Sequence, residues 1–227
     1  LTMLDLGGIP LRTSDRIDPF PLVIAGGPCA YSPEPLASFI DAFVLGEGEE
    51  VVHEIIDLVS RSKACGAKRD KLLRDLASVQ GVYVPSLYSV SYLEDGRVQQ
   101  VKPRQPGVPS TVVKRIVKNL DTADYPTAPV VPFTEVVHDR AMVEVFRGCT
   151  RGCRFCQAGA VYRPVRERSL ETVCDLAGKL LTSTGYHEVS LASLSSGDYS
   201  HIEEAVQRLI EKHSHDRVGV SLPSLRV

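Results

Sequence analysis

Three cysteines, Cys149, Cys153 and Cys156, constrain this chain more than any other stretch. They stand in Arg147-Gly148-Cys149-Thr150-Arg151-Gly152-Cys153-Arg154-Phe155-Cys156-Gln157, a C-x-x-x-C-x-x-C spacing. The residues before them, Ala141-Met142-Val143-Glu144-Val145-Phe146, alternate and read as a buried or half-buried strand. Gly148 and Gly152 bracket Cys149 and the turn after it, and glycine permits the backbone angles with which a short loop folds back on itself. Such a loop can point three thiolates at one centre. An iron–sulfur cube has four irons and is usually held by four cysteines. Three thiolates leave one iron open to a small molecule, as a catalytic zinc keeps one position open. Two other readings are a Cys-x-x-Cys redox pair at Cys153 and Cys156, and a zinc site, which lacks a fourth His or Cys at the usual spacing. Cys174, the next cysteine, falls beside the apolar stripe of a helix, where core packing is its simplest role.

On these residues the chain resembles the radical S-adenosylmethionine (SAM) superfamily, and more narrowly a cobalamin-binding-type (B12-binding domain) radical SAM protein of the bacterial kind. Gly26-Gly27-Pro28, Pro33-Glu34-Pro35, Gly46-Glu47-Gly48-Glu49-Glu50 and Arg147 through Arg168 carry the resemblance, which runs over nearly the whole chain. It implies an α/β fold: the C-terminal part of a doubly wound, cobalamin-binding-like domain, then the first part of a radical SAM β/α barrel. The implied division is a partial cobalamin-binding-like domain over 1–66, a connecting segment with a hairpin over 67–140, and the N-terminal part of the barrel over 141–227. A full barrel takes roughly 250 residues, the chain starts at Leu1 inside apparent structure, and it stops at Val227 as a strand begins. We therefore expect a fragment of a longer protein.

The rest of the sequence fits that frame. Leu22–Ala25 and Ala42–Leu45 are short apolar runs ending in glycine, each with a helical pattern after it, through Leu36, Phe39 and Ile40 in one case and Val51, Val52, Ile55, Ile56 and Val59 in the other. Strand–helix–strand–helix predicts a parallel sheet covered by helices. The acidic start of the second helix, Glu47, Glu49 and Glu50, suits its dipole. Leu72, Leu73 and Leu76 face inward from a short helix over 68–79, and Asp95-Gly96 turns a hairpin with arms 88–93 and 97–102. The stretch 112–120 reads as a strand, and its basic residues Lys114, Arg115 and Lys118 as a solvated face. After the cysteine loop, Ser169 is the expected N-cap of a helix through Leu170, Val173, Ala177, Leu180 and Leu181 that Gly185 stops. A strand at 188–194, a helix at 202–213 with Ala205, Val206, Leu209 and Ile210 inward, and a strand at 217–222 follow. A formal net charge of −2 gives no global field for nucleic acid, and no apolar run is long enough to span a bilayer. Six cysteines, three of them clustered, suit a reducing compartment, and the expected location is cytoplasmic.

The resemblance assigns roles. Cys149, Cys153 and Cys156 would hold a [4Fe–4S] cluster whose open iron takes the amino and carboxylate groups of SAM. Phe155 would lie by the adenine. The loop after the second barrel strand, Ser195-Ser196-Gly197-Asp198, stands where the superfamily often has Gly-Gly-Glu, so Asp198 would accept the SAM ammonium and Ser195 and Ser196 offer hydroxyls; Asp198 can equally serve as a helix N-cap. Arg166, among Arg163, Arg166 and Arg168, would grip the SAM carboxylate. A reduced cluster would pass one electron to SAM, releasing methionine and a 5′-deoxyadenosyl radical that abstracts hydrogen from a substrate the sequence does not name. An external one-electron donor of the flavodoxin or ferredoxin type would supply the electron. Cobalamin would face Gly26, Gly27 and the Gly46–Gly48 loop, although those glycines can equally make tight turns and the D-x-H-x-x-G motif is not among these residues. The competing function is a non-catalytic iron–sulfur or zinc protein of electron transfer or assembly.

Overall fold

Residues 1–18, 20–134 and 136–225 are described by the computed structural model, and they divide into two units, Leu1–Val117 and Lys118–Val227.

The first unit begins with a short helix α1 (Thr2–Leu6) and then builds on β1 (Ile24–Ala25) and β2 (Ala42–Val44), which pair in parallel with Ile24 opposite Ala42. Between them the expected helix through Leu36, Phe39 and Ile40 is a single 3-10 turn, Glu34–Leu36. Pro35 lies inside that turn and has no N–H to extend a ladder. Helix α2 (Val51–Ala64) packs on α3 (Arg69–Ala77). Val51 and Ile55 are in the core with Leu72, Leu73 and Leu76, while Val52 and Ile56 are exposed, so the buried stripe of α2 is narrower than expected. The chain then enters β3 (Val82–Tyr83), antiparallel to β2 with Phe43 opposite Tyr83. The sheet β1-β2-β3 is thus mixed rather than parallel throughout. Two helices rather than one fill the β2–β3 connection, so the chain re-enters from the end it left. The hairpin is β4 (Tyr88–Tyr92) and β5 (Val98–Pro103), turning at Asp95-Gly96, with the Arg97 N–H donating to Asp95 Oδ1 at 3.1 Å. Over 112–120 the expected strand reduces to one bridge, Arg115 beside Gly46.

The second unit is a parallel sheet. Strand β6 (Ala141–Glu144) is followed by β7 (Phe146–Arg147), the short helix α4 (Ala158–Val161), β8 (Arg166–Glu167), α5 (Leu170–Thr184), β9 (Glu188–Ala192), α6 (Ile202–His213) and β10 (Gly219–Ser221). The sheet order is β6-β9-β10, all parallel, with α5 and α6 as the connections. Ser169 caps α5, its Oγ accepting from the Thr172 N–H, and Gly185 ends it in the left-handed region. Leu170, Val173, Ala177, Leu180 and Leu181 pack on Val143, Val189 and Leu191. Cys174 packs partly buried against this core, which pushes its thiol pKa up. On α6 only Ala205 and Leu209 are buried; Ile210 is exposed and, with Ile202, Val206, Leu222 and Leu225, lines an open apolar groove. Among the described residues no helix is long and apolar enough to cross a membrane.

Candidate functional site

The cysteine loop leaves the carboxyl end of β6 and is tied off at its base. Val145 donates to the Ala192 carbonyl at 3.0 Å, the β7–β8 ladder sets Phe146 opposite Glu167 and Arg147 opposite Arg166, and the Arg168 N–H reaches the Val145 carbonyl at 2.9 Å. The return leg crosses directly over Gly148. A Cβ there would stand 2.8 Å from the carbonyl oxygens of Tyr162 and Pro164, and the residue sits at φ 98°. Only glycine meets both demands.

Between these anchors the three cysteines are free thiols, Cys149 half-buried and Cys153 and Cys156 exposed. The Cys156 N–H donates to the Cys153 carbonyl at 3.0 Å, and the Arg151 N–H points at Cys149 Sγ at 3.4 Å. Among the described residues no three His, Cys, Asp or Glu side chains converge in a metal-binding arrangement; the thiols share one loop without their sulfurs being drawn together. The donor set nevertheless fits an iron–sulfur cluster with one open iron: three thiols, no carboxylate or imidazole among them, on a loop set by glycine. Phe155 stands beside them, 91% exposed.

Facing the loop is the turn after β9. Ser195 and Ser196 are buried; Ser196 Oγ donates to the Leu191 carbonyl at 3.1 Å and lies 3.1 Å from Ser193 Oγ. These serines build the turn. Asp198 is its charged end, and its carboxylate is held by Arg151, Nε to Oδ2 at 2.7 Å with a second, shorter contact from the other end of the guanidinium to Oδ1. That hydrogen bond, and the charge of Asp198, hold the Arg151 proton more tightly than usual. The structure therefore brings the cysteine loop and the Ser195–Asp198 turn together through a pair the sequence reading missed. Arg151 and Asp198 are too far apart in sequence for any local pattern to link them.

Of the arginines after the loop, Arg166 and Arg168 part ways. Arg166 donates to the carbonyls of Pro164 (3.1 Å) and Tyr162 (3.4 Å). Arg168 is buried: its guanidinium donates to the Glu144 carbonyl at 3.0 Å and to the Leu120 carbonyl, and stacks 5.1 Å over the Tyr125 ring. Burial lowers its pKa below the usual guanidinium range, against the pull of Glu144. Glu144 itself, at the end of β6, binds Arg147 through both oxygens at 3.0 and 2.7 Å. This pair lines a cleft of about 300 Å³ at the carboxyl ends of β6 and β9, with Phe146, Tyr162, Ser193 and Leu194. Ligands of parallel sheets bind at such ends. The sequence reading took Glu144 only as part of a strand; its pairing with Arg147 comes from the structure.

Residues 1–85 match the family model for radical SAM proteins, N-terminal, and residues 143–227 that for the radical SAM superfamily. The chain is 30% identical over 212 residues to an uncharacterised protein of Methanocaldococcus jannaschii, covering 92% of this chain and 38% of that one. It is 25% identical over 205 residues to an uncharacterised methyltransferase of Pyrococcus horikoshii, covering 82% of this chain and 38% of that one. The chain thus spans about two fifths of the curated relatives it matches. Among solved structures, the radical S-adenosylmethionine methyltransferase TsrM from Kitasatospora setae, with cobalamin and a [4Fe–4S] cluster bound, aligns at TM-score 0.49 and 16% identity over 88% of this chain and 37% of that one. TsrM with tryptophan substrate and a SAM analogue aligns at 0.47 and 17% over 88% and 36%.

Proposed function

Because the chain belongs to the radical SAM superfamily, we propose that Cys149, Cys153 and Cys156 hold a [4Fe–4S] cluster and that the whole protein is a radical SAM enzyme. The observation that carries this reading is the position of the three free thiols: one glycine-set loop, at the carboxyl end of a parallel strand, inside the stretch matching the superfamily. When bound, the cluster supplies the electron for reductive cleavage of SAM. The chain's own residues do the rest. Exposed Phe155 offers its ring to the adenine. The Asp198 carboxylate, whose two oxygens are hydrogen-bond acceptors, receives the SAM ammonium. Ser195, Ser196 and Gly197 fix the turn that carries it. Arg166, on the loop's return leg, is the cation for the SAM carboxylate. Glu144 and Arg147 line the cleft beside this site.

Two further parts extend this reading. The name of the Pyrococcus relative favours methyl transfer as the outcome. Cobalamin, as second cofactor, has the edge of the first unit open to it at Gly27 and Gly48, where a Cβ would meet nothing, but not at Gly46, which the Arg115 backbone covers.

The test is anaerobic reconstitution with iron and sulfide, counting both per chain. Alanine at Cys149, Cys153 or Cys156 abolishes a full cluster, whereas alanine at Cys29, Cys65 or Cys174 leaves it. A full cluster in any variant of the first three overturns the assignment, and zinc uptake in place of iron would favour the competing zinc protein.

A further inference from the structure

We propose that Arg151 and Asp198 form a latch that positions the cysteine loop against the turn after β9, fixing where the three thiols stand before any cluster is loaded. The proposal rests on the cluster reading for its purpose but not for its geometry. Arg151 lies in the interval between Cys149 and Cys153, so it grips the loop between two ligands rather than at its base. Its backbone N–H addresses Cys149 Sγ at 3.4 Å while its side chain reaches across to Asp198. The two ends of the guanidinium engage both carboxylate oxygens, a planar fork that fixes direction as well as distance.

The anchor is stiff. Asp198 closes the 3-10 turn Ser196–Asp198, its N–H donating to the Ser195 carbonyl at 2.8 Å. Next to it, Tyr199 is buried and donates its hydroxyl to the Arg168 carbonyl at 2.9 Å. The loop has its ladder only at the base, β7 against β8, so a tie from its middle to a rigid turn restricts it most. Arg151 is about half exposed and Asp198 about a quarter, so the latch is open to screening. A residue that merely filled space would not be.

The experiment measures hydrogen exchange of amides 149–157 in the metal-free chain. Arg151→Ala and Asp198→Ala each speed exchange of these amides by roughly two- to fivefold, the range for a partly exposed ion pair, and the double variant goes no further. Arg151→Lys recovers part of the protection. Raising salt from about 0.1 to about 1 M, which shortens the screening length from about 10 to about 3 Å, loosens the wild-type loop and leaves Arg151→Ala unmoved. Amides of β6, β9 and α5 keep their rates, which separates unlatching from unfolding. Unchanged loop exchange in both single variants, or equal salt dependence in wild type and Arg151→Ala, overturns the latch. In parallel, the reconstituted Arg151→Ala chain should lose iron to a chelator several-fold faster than wild type. A wild-type chain that takes up no iron defeats the cluster reading, while the exchange data still decide the latch.

Discussion

Two loops follow the same local grammar and end differently. After β2, the chain turns at Gly46 (φ 112°); after β6, it turns at Gly148 (φ 98°). Both glycines adopt a conformation that side-chain-bearing residues avoid, and both have protein backbone where a Cβ would stand. At Gly46 the visiting backbone is Arg115, whose N–H and C=O bond Leu45 and Glu47 at 2.8 and 3.1 Å. Glu47 then accepts the Val117 N–H at 2.5 Å, and Glu50 and Glu54 each bind the Arg115 guanidinium at 2.7 Å. These charges answer one another, and the loop is closed by its own protein. At Gly148 the visitor is the loop's own return leg, which leaves the middle of the loop outside with exposed Cys153, Cys156 and Phe155. A strand–glycine–loop signature thus marks a close backbone approach. Which groups remain unanswered decides whether a ligand belongs there.

The comparison breaks most readily at the two glycines. Gly46→Ala sets a Cβ into the Arg115 backbone and should destabilise the first unit by about 3–5 kcal/mol, the sum of left-handed strain and overpacking. It should leave iron loading intact. Gly148→Ala, with contacts at 2.8 Å, should cost about 2–4 kcal/mol by the same physics and register as lost iron binding. Thermal unfolding and iron counts on both variants check this, and swapped readouts would mean the loops are not distinct in kind.

A smaller effect sharpens the account of the anchor under the second loop. Burial, with Glu167 adding to it, pushes the Tyr199 phenol up to about 12. The folded state therefore holds this proton more tightly than the unfolded chain, where a tyrosine titrates near 10. The stabilisation is complete below about pH 10 and is lost as pH rises toward about 12. Tyr199→Phe should flatten this alkaline fall in denaturant midpoint and remove the bond to the Arg168 carbonyl, about 1 kcal/mol. The smallest change is Ser169→Ala, which takes the cap from α5 for about 1 kcal/mol or less, read as a shift in midpoint with iron loading unchanged.

Much of this was legible in the sequence because it is local. The α5 cap and stop at Ser169 and Gly185, the Asp95-Gly96 hairpin and the strand before the cysteines depend on neighbours a few residues away, where propensity and period act. The thiol set is local too, since its chemistry lies in spacing alone. Where the reading departed from the structure, the missing information was long-range. The extra antiparallel strand β3 depends on how two helices return the chain. The exposure of Ile56 and Ile210 depends on which neighbours cover an amphipathic face, which a hydrophobic period cannot report. The burial of Arg168 among the carbonyls of Leu120 and Glu144 is invisible to a rule that places arginine at the surface. The sequence by itself determined the strand, the glycines and the three cysteines. Only the tertiary structure decided that Arg151 meets Asp198 and that Arg115 seals Gly46, because a hydrogen bond depends on distance in space and the chain sets that distance by folding.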